Sequence, residues 1–439
     1  MHRSLLLALL VYGMAGAQQT PPPKLSLTLS QAVELALRNN LQTQLAGERA
    51  FQSRSERGLS LSALLPHLSG SAYQMNLTAN LAAMGLPVGE IPGFPVMVGP
   101  YSRFDARFQL VQNIFDLASI RRYQAAGRAV ELAGDQRRLA AQQVSTATAL
   151  AYLAVLEAEE AVRAAQANAQ LGARLVELAR NQHEAGIATG LDIARAETRL
   201  AGQQVQVAQA QTALDTARLG LLRVIGAPLA SELALSEAMR FLPEPPPSAE
   251  KAVAQALSDR LERKVAADYL GIAEARRQAA HAELLPSMSF FGDYGSSGIK
   301  PNEVNLPTRS VGLRIDVPLF DGGRTRSEIG VAASLARQAE MQWKDLAAAI
   351  EKDVRQALDN LATRESQVRA AQRVVALAER EMELAQDRFK SGVADNIEVT
   401  SAQTALENAR QVLVASLAQF NVARLNLASA MGHAEDFRL

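Results

Sequence analysis

The sequence predicts a mostly helical chain with a small β part, written twice from one plan, and three observations carry that prediction. The segment Gly186 to Gly226 (GIATGLDIARAETRLAGQQVQVAQAQTALDTARLGLLRVIG) reappears as Gly392 to Gly432 (GVADNIEVTSAQTALENARQVLVASLAQFNVARLNLASAMG). Shorter anchors recur upstream: Leu64-Leu65-Pro66 with Leu284-Leu285-Pro286, and Ile114-Phe115-Asp116 with Leu319-Phe320-Asp321. Between them, short stretches alternate apolar and polar residues with the period of a strand. Each copy therefore reads helix, strand, loop, strand, very long helix, turn, long helix. Repeats are weighed first because overlooking them miscalls the whole architecture. The division is residues 1–17, a first repeat 18–226, a Pro-rich linker 227–248 and a second repeat 249–439.

Met1-His2-Arg3, an apolar run from Leu5 to Tyr12 and the small residues Ala15-Gly16-Ala17 form a secretory signal peptide, with cleavage expected before Gln18. The apolar run is too short for a membrane anchor, which needs about 20 residues, and no later stretch is expected to cross a bilayer as a helix. The chain is expected to be exported. With no cysteine, disulfides, thiol catalysis and lipid attachment at an N-terminal cysteine are excluded. Lys plus Arg and Asp plus Glu number 45 each, so no bulk field draws nucleic acid or lipid headgroups. Abundant alanine with Glu, Gln and Arg, and few aromatics, favours long, closely packed helices.

Taken in order, Thr28 and Gln31 form a capping box for a first helix expected to run to about Leu65, where Pro66 stops it. A strand at about 67–78 and a Gly/Pro/Met loop from Asn80 to Ser102 follow. The second strand, about 103–115, sets Phe104, Ala106, Phe108 and Leu110 against Arg103, Asp105, Arg107 and Gln109. From Leu117 to about His183 there is no proline, and a helix of roughly 65 residues extends about 100 Å. A turn at about 183–191 reverses it into a helix ending near Gly226. Pro228, Pro243 and Pro245-Pro246-Pro247 mark the linker. The second copy places strands at about 287–296 and 308–319, the latter with Val311, Leu313, Ile315, Val317 and Leu319 on one face, and a turn at about 389–397.

The helices carry heptads of unequal rows. Leu406, Leu413, Phe420 and Leu427 repeat at heptad spacing beside Ala402, Ala409, Ser416, Ala423 and Ala430, which implies supercoiled helices approaching closely along the small row. The strands decide the class. No other sheet or globular domain remains to cover their apolar row, and bacterial outer-membrane barrels alternate in the same way, apolar to lipid and polar to lumen. Four strands cannot seal a barrel, and lipid tolerates no open edge, so chains must associate. A dimer gives eight strands and a filled interior; a trimer gives twelve and a channel, and strand arithmetic alone leaves both open.

The sequence resembles the TolC-type outer-membrane efflux proteins over nearly all of the mature chain. The carrying residues are Leu27-Thr28-Leu29-Ser30-Gln31-Ala32-Val33-Glu34-Leu35-Ala36-Leu37, the two Leu-Leu-Pro stops, Val317-Pro318-Leu319-Phe320-Asp321-Gly322-Gly323-Arg324, and Arg388-Phe389-Lys390-Ser391-Gly392-Val393-Ala394 leading into Ala402-Gln403. The resemblance implies a homotrimer with a 12-stranded transmembrane barrel and a helical tunnel across the periplasm. It also implies a passive exit duct for drug efflux or type I secretion, working with a periplasmic adaptor and an inner-membrane pump of RND, ABC or MFS type, and no cofactor.

Asp116 and Asp321 stand where the long helices begin and are expected to cap their free N–H groups; Gly322 and Gly323 suit positive φ in the strand-to-helix turn. Gly186 and Gly392 suit helix C-caps. The resemblance further makes the turns Gly186-Ile187-Ala188-Thr189 and Gly392-Val393-Ala394-Asp395 the tips that meet the adaptor. It also places Asp192 and Glu398, each six residues past its tip glycine, in an acidic periplasmic gate ring. Ser401 stands where some members carry a second aspartate, and Arg195 lies near that height in the first copy, which weakens the ring. Competing readings fit less well. Five scattered histidines and no metal-ligand spacing, phosphate loop or nucleophile elbow argue against an enzyme. A periplasmic adaptor would carry one hairpin and many short strands, and a soluble coiled-coil scaffold leaves the four strands unexplained.

Overall fold

The computed structural model describes residues 24–85 and 95–439; the expected signal peptide and part of the first strand-to-strand loop lie outside them. The elements run β1 (Lys24–Leu27), α1 (Leu29–Asn39), α2 (Leu41–Ser62), β2 (His67–Asn80), β3 (Met97–Phe115), α3 (Leu117–Glu184) and α4 (Gly190–Val224), then β4 (Glu232–Leu235), α5 (Ala249–Asp259), α6 (Leu261–Ala282), β5 (Ser287–Gly298), β6 (Asn305–Asp316), α7 (Arg324–Lys390) and α8 (Asn396–Ala430). The second half follows the element order of the first.

The longer strands form one antiparallel sheet in the order β2-β3-β5-β6. Its register pairs Tyr73 with Asp105, Asp105 with Ser297, and Asp293 with Ser310. Paired residues share a face, so one face gathers Ser69, Ser71, Arg103, Asp105, Arg107, Gln109, Asp293, Ser310 and Arg314. The other gathers Leu68, Phe104, Phe108, Leu110, Phe290, Tyr294, Val311, Leu313 and Ile315. On the polar face Arg107 joins Asp105 and also reaches Asp293 at 3.2 Å. On the apolar face Leu68 and Val311 are each 71% exposed.

The helices repeat this order. α2 packs on α3, α3 on α6 and α6 on α7, so each strand of the sheet continues into, or descends from, one helix of a four-helix layer. α4 pairs with α3, α8 pairs with α7, and α3 also packs on α8. The main core lies where α1, α3, α4 and α8 meet the small parallel pair β1–β4, around Tyr152, Leu156, Leu221, Ile225 and Leu425. A second cluster nearer the hairpin ends joins Leu175 of α3 to Met382, Phe389, Val399 and Leu406.

Several expectations are corrected. The first helix is two, broken at Asn40, whose extended backbone (φ −66°, ψ 135°) ends α1 and starts α2. The Asn40 side chain accepts from Gln42 N and donates to the Val224 carbonyl at 2.8 Å, so the break is where the end of α4 docks. Arg260 breaks α5 from α6 in the same extended conformation, and Gly432, at the end of α8, sits against it. The loop after β2 is shorter than expected, because β3 already begins at Met97. β6 stops at Asp316; Pro318 cannot donate to a ladder, and Leu319 and Phe320 beyond it are each 91% exposed. The Pro-rich linker contains β4, which pairs with β1. Finally, α3 does contain a stretch long and apolar enough to cross a membrane, 44% of it buried within the chain. Its apolar residues Val144, Tyr152, Leu153, Val155 and Leu156 serve the core.

Candidate functional surfaces: an open wall and paired hairpin tips

At the strand-to-helix junctions the expected aspartates do local work. Asp116 is the N-cap of α3 and accepts from Ser119 N at 3.2 Å. Asp321 acts from two residues before the N-cap. It accepts from Gly323 N at 3.1 Å and Thr325 N at 2.8 Å, while Gly323 itself holds the N-cap position. The Thr325 hydroxyl, followed by its backbone N–H, holds the Asp321 carboxyl below the usual carboxylate range. Gly322 (φ 70°) and Gly323 (φ 87°) both use the left-handed region, where a Cβ is unfavourable.

At the opposite end of the long helices the two turns close in the same way. Gly186 N donates to His183 O and Ile187 N to Gln182 O, both at 2.9 Å; Gly392 N donates to Phe389 O and Val393 N to Arg388 O, at 3.1 and 3.0 Å. This is the Schellman pattern, with glycine in the left-handed position. The turns are neighbours. Asn396 Nδ2 donates to the Asp192 carbonyl at 3.0 Å, and Gln182 Nε2 to Lys390 O at 3.4 Å. Ile187, Leu191, Val393 and Ile397 are more than half exposed, so the joint tip offers apolar side chains over a rigid base. Ala188 is buried, Ala394 partly so, and Thr189 and Asp395 start α4 and α8.

Asp192 and Glu398 hold equivalent positions but make different contacts. Asp192 Oδ2 accepts from Thr189 N at 2.8 Å and Thr189 Oγ1 at 2.7 Å. The Thr189 hydroxyl, more than its backbone N–H or the Arg195 charge, holds the Asp192 carboxyl below its usual range. In the second hairpin Asp395 caps α8 through Ile397 N and Glu398 N. That leaves the Glu398 side chain exposed and paired with Arg388 at 3.1 Å. Between α4 and α8, just above, opens a cleft of about 920 Å³ that includes Arg195, Arg199, Gln203, Ser401 and Glu407. Glu407 receives Arg199 and Gln203 across it.

Sequence reasoning missed Asn396 and Arg388, which tie the tips together and occupy Glu398. The signal lay where the copies differ: Asn396 replaces Gly190, Arg388 replaces Gln182 and Asp395 replaces Thr189. No group of three or more metal-ligating side chains occurs among the described residues.

Among the described residues nothing covers the apolar face of the sheet, which ends in two unpaired edges and stands on helices of 68 and 67 residues. Alternation of an apolar and a polar face along such strands is the pattern of outer-membrane barrel strands. A model of the outer membrane efflux protein family matches residues 32–227 and 252–433, and the chain belongs to that family. The alkaline protease secretion protein AprF of Pseudomonas aeruginosa is 26% identical over 394 residues, covering 88% of this chain and 81% of that protein. The outer membrane protein TolC of Escherichia coli is 24% identical over 346 residues, 74% of this chain and 69% of that protein. The crystal structure of the Campylobacter jejuni CmeC outer membrane channel superposes with a TM-score of 0.79 at 19% identity, over 92% of this chain and 86% of that one. The chain is thus an outer-membrane protein of a transport family.

Proposed function

We propose that three copies of this chain close a 12-stranded barrel in the outer membrane and continue as a helical tunnel through the periplasm, forming a passive exit duct for tripartite efflux or type I secretion. One observation carries the reading: strand order β2-β3-β5-β6 and helix order α2-α3-α6-α7 coincide, so sheet and helical layer are open at the same two edges. β2 and β6 run in opposite directions, and closing β6 of one copy on β2 of the next keeps the ladder antiparallel and leaves no edge in lipid. The same operation brings the sheet end of α7, with Val331 and Leu335 exposed, against α2, with Leu41, Phe51 and Leu59 exposed. The apolar sheet face meets lipid and the Arg107–Asp105–Asp293 face lines the lumen, as in other such barrels. The chain itself supplies no catalytic chemistry.

The tips Gly186–Thr189 and Gly392–Asp395 seat a periplasmic adaptor, which couples the duct to an inner-membrane pump. Asp192 and Glu398 contribute six carboxylates near the entrance, a cation-attracting collar moderated by Arg195 and Arg388. Duplication of an ancestral unit spanning 18–226 and 249–439 accounts for the two-fold element order.

Fractionation and gel mobility test the duct: the protein should pellet with outer membrane, require detergent, and run as an oligomer unless heated. A monomer soluble in detergent-free buffer overturns it. For the collar, reconstituted Asp192→Ala and Glu398→Ala channels should lose cation preference; unchanged selectivity removes the collar and leaves the duct.

A further inference from the structure

α3 and α6 form the seam through which the first half of the chain meets the second beneath the sheet. They run antiparallel and are joined by a ladder of polar contacts. Arg128 donates to the Gly271 carbonyl at 2.7 Å and Gln136 Nε2 to Tyr269 OH at 2.6 Å. At the level of that second rung, two carboxyl groups face each other across the seam. The Asp135 side chain is only 6% exposed and takes ion pairs from Arg138 of its own helix and, at 3.1 Å, from Lys264 of α6. Asp268 lies one turn beyond Lys264 and next to Tyr269 of that rung, and its Oδ2 is buried without a hydrogen-bond partner.

Ionised carboxylates only accept hydrogen bonds. Two of them in contact repel, and the contact becomes attractive when one proton sits between them. The charged groups facing the pair are Glu131 and Arg138 of α3 and Lys264 of α6. With both aspartates ionised the site holds three negative charges against two positive; one proton balances it. We propose that Asp135 and Asp268 share a single proton and act as a pH-sensitive clasp between the two halves of the subunit, closed when protonated and loosened when the proton leaves.

The two groups divide the roles. Burial, followed by the Asp135 carboxylate, pushes the Asp268 carboxyl up. Burial works against ionisation of Asp135 too, but Arg138 and Lys264 outweigh it and hold that carboxyl below its usual range. Asp268 is therefore the proton carrier. A carboxyl whose folded pKa is raised contributes stability at pH below its unfolded value and loses it as pH rises through the folded one. The clasp weakens in the alkaline direction, opposite to the acid loss expected from capped or ion-paired carboxylates such as Asp192 and Asp321.

The test uses the full-length protein in detergent. Infrared difference spectra across a pH titration should show the C=O stretch of a protonated carboxylic acid persisting above the ordinary carboxylate range and disappearing on further alkalinisation. Asp268→Asn should abolish that band and flatten the alkaline fall in thermal midpoint, because the amide donates to Asp135 at every pH. Tyr269→Phe, which removes a neighbouring rung without touching a carboxyl, should lower the midpoint evenly across pH and keep the band. Hydrogen exchange should show α6 opening faster at high pH in the wild type and not in Asp268→Asn. Absence of the band in the wild type overturns the proposal, as does its survival in Asp268→Asn or an unchanged pH profile in that variant. Burial also pushes up the Glu157 carboxyl, so every sample carries Glu157→Gln and the band then reports the clasp; if Asp268→Asn does not fold, the titration of the Glu157→Gln protein decides.

Discussion

Alanine at three structurally matched glycines should damage the protein in a graded order set by the space around each. Gly186, Gly226 and Gly432 all lie in the left-handed region, at φ 77°, 67° and 89°. Each substitution therefore carries the backbone strain of a Cβ there, about 1–2 kcal/mol. What differs is the space. A Cβ on Gly186 meets nothing within 4 Å; on Gly432 it would lie 3.3 Å from Arg260 N and the Asp259 carbonyl; on Gly226 it would lie 2.7 Å from Asn39 Cβ and 3.0 Å from Asn39 O. Only the last demands that main chain move, and it does so where Asn40 bonds the Val224 carbonyl. Forced overpacking adds about 1–3 kcal/mol, so Gly226→Ala should lose about 2–5 kcal/mol in all, against about 1–2 for Gly186→Ala, with Gly432→Ala between. Thermal midpoints in detergent give the ranking, and hydrogen exchange locates it, with faster exchange at the α1–α2 break in Gly226→Ala alone. Equal losses at Gly186 and Gly226 would refute the argument that the end of α4 is wedged into that break.

Other outcomes follow from single contacts. Tyr152→Phe should cost about 0.5–1.5 kcal/mol rather than more, because the Leu27 carbonyl that loses the phenol at 3.0 Å keeps the N–H of Ser236; thermal unfolding would show it. Asn396→Ala removes the bond to the Asp192 carbonyl and should speed hydrogen exchange in both tips, not only its own; a change confined to α8 would show that the tips are independent. Asp321 is held below its unfolded value, so its contribution is present above the ordinary carboxylate range and lost as pH falls through its lowered pKa. Acidification should fray residues 323–327 first, and Asp321→Asn should remove that pH dependence.

Much of the architecture was legible. The long helices, their turns and the four strands each depend on local rules: proline and Leu-Leu-Pro stops, period-two alternation, glycine at a helix end. The helix breaks at Asn40 and Arg260 were not legible, because neither residue stops a helix by itself; the ends of α4 and α8, some 170 or more residues away in sequence, select the extended conformation there. The same holds for β1 and β4, four residues each, too short to announce themselves without each other. At the tips, sequence position made Asp192 and Glu398 equivalents, whereas Thr189 engages one and Arg388 the other.

The sequence by itself determined the long helices and their turns, the four longer strands, the alternation that gives the sheet one apolar face, and the repeated plan, since these arise from residue type and spacing along the chain. Only the tertiary structure decided that strands and helices share one lateral order, that the two tips are bonded to each other, and that Asp135 of α3 pairs with Lys264 of α6. Those depend on pairings between distant segments, where the free energy lies in contacts that no local window contains.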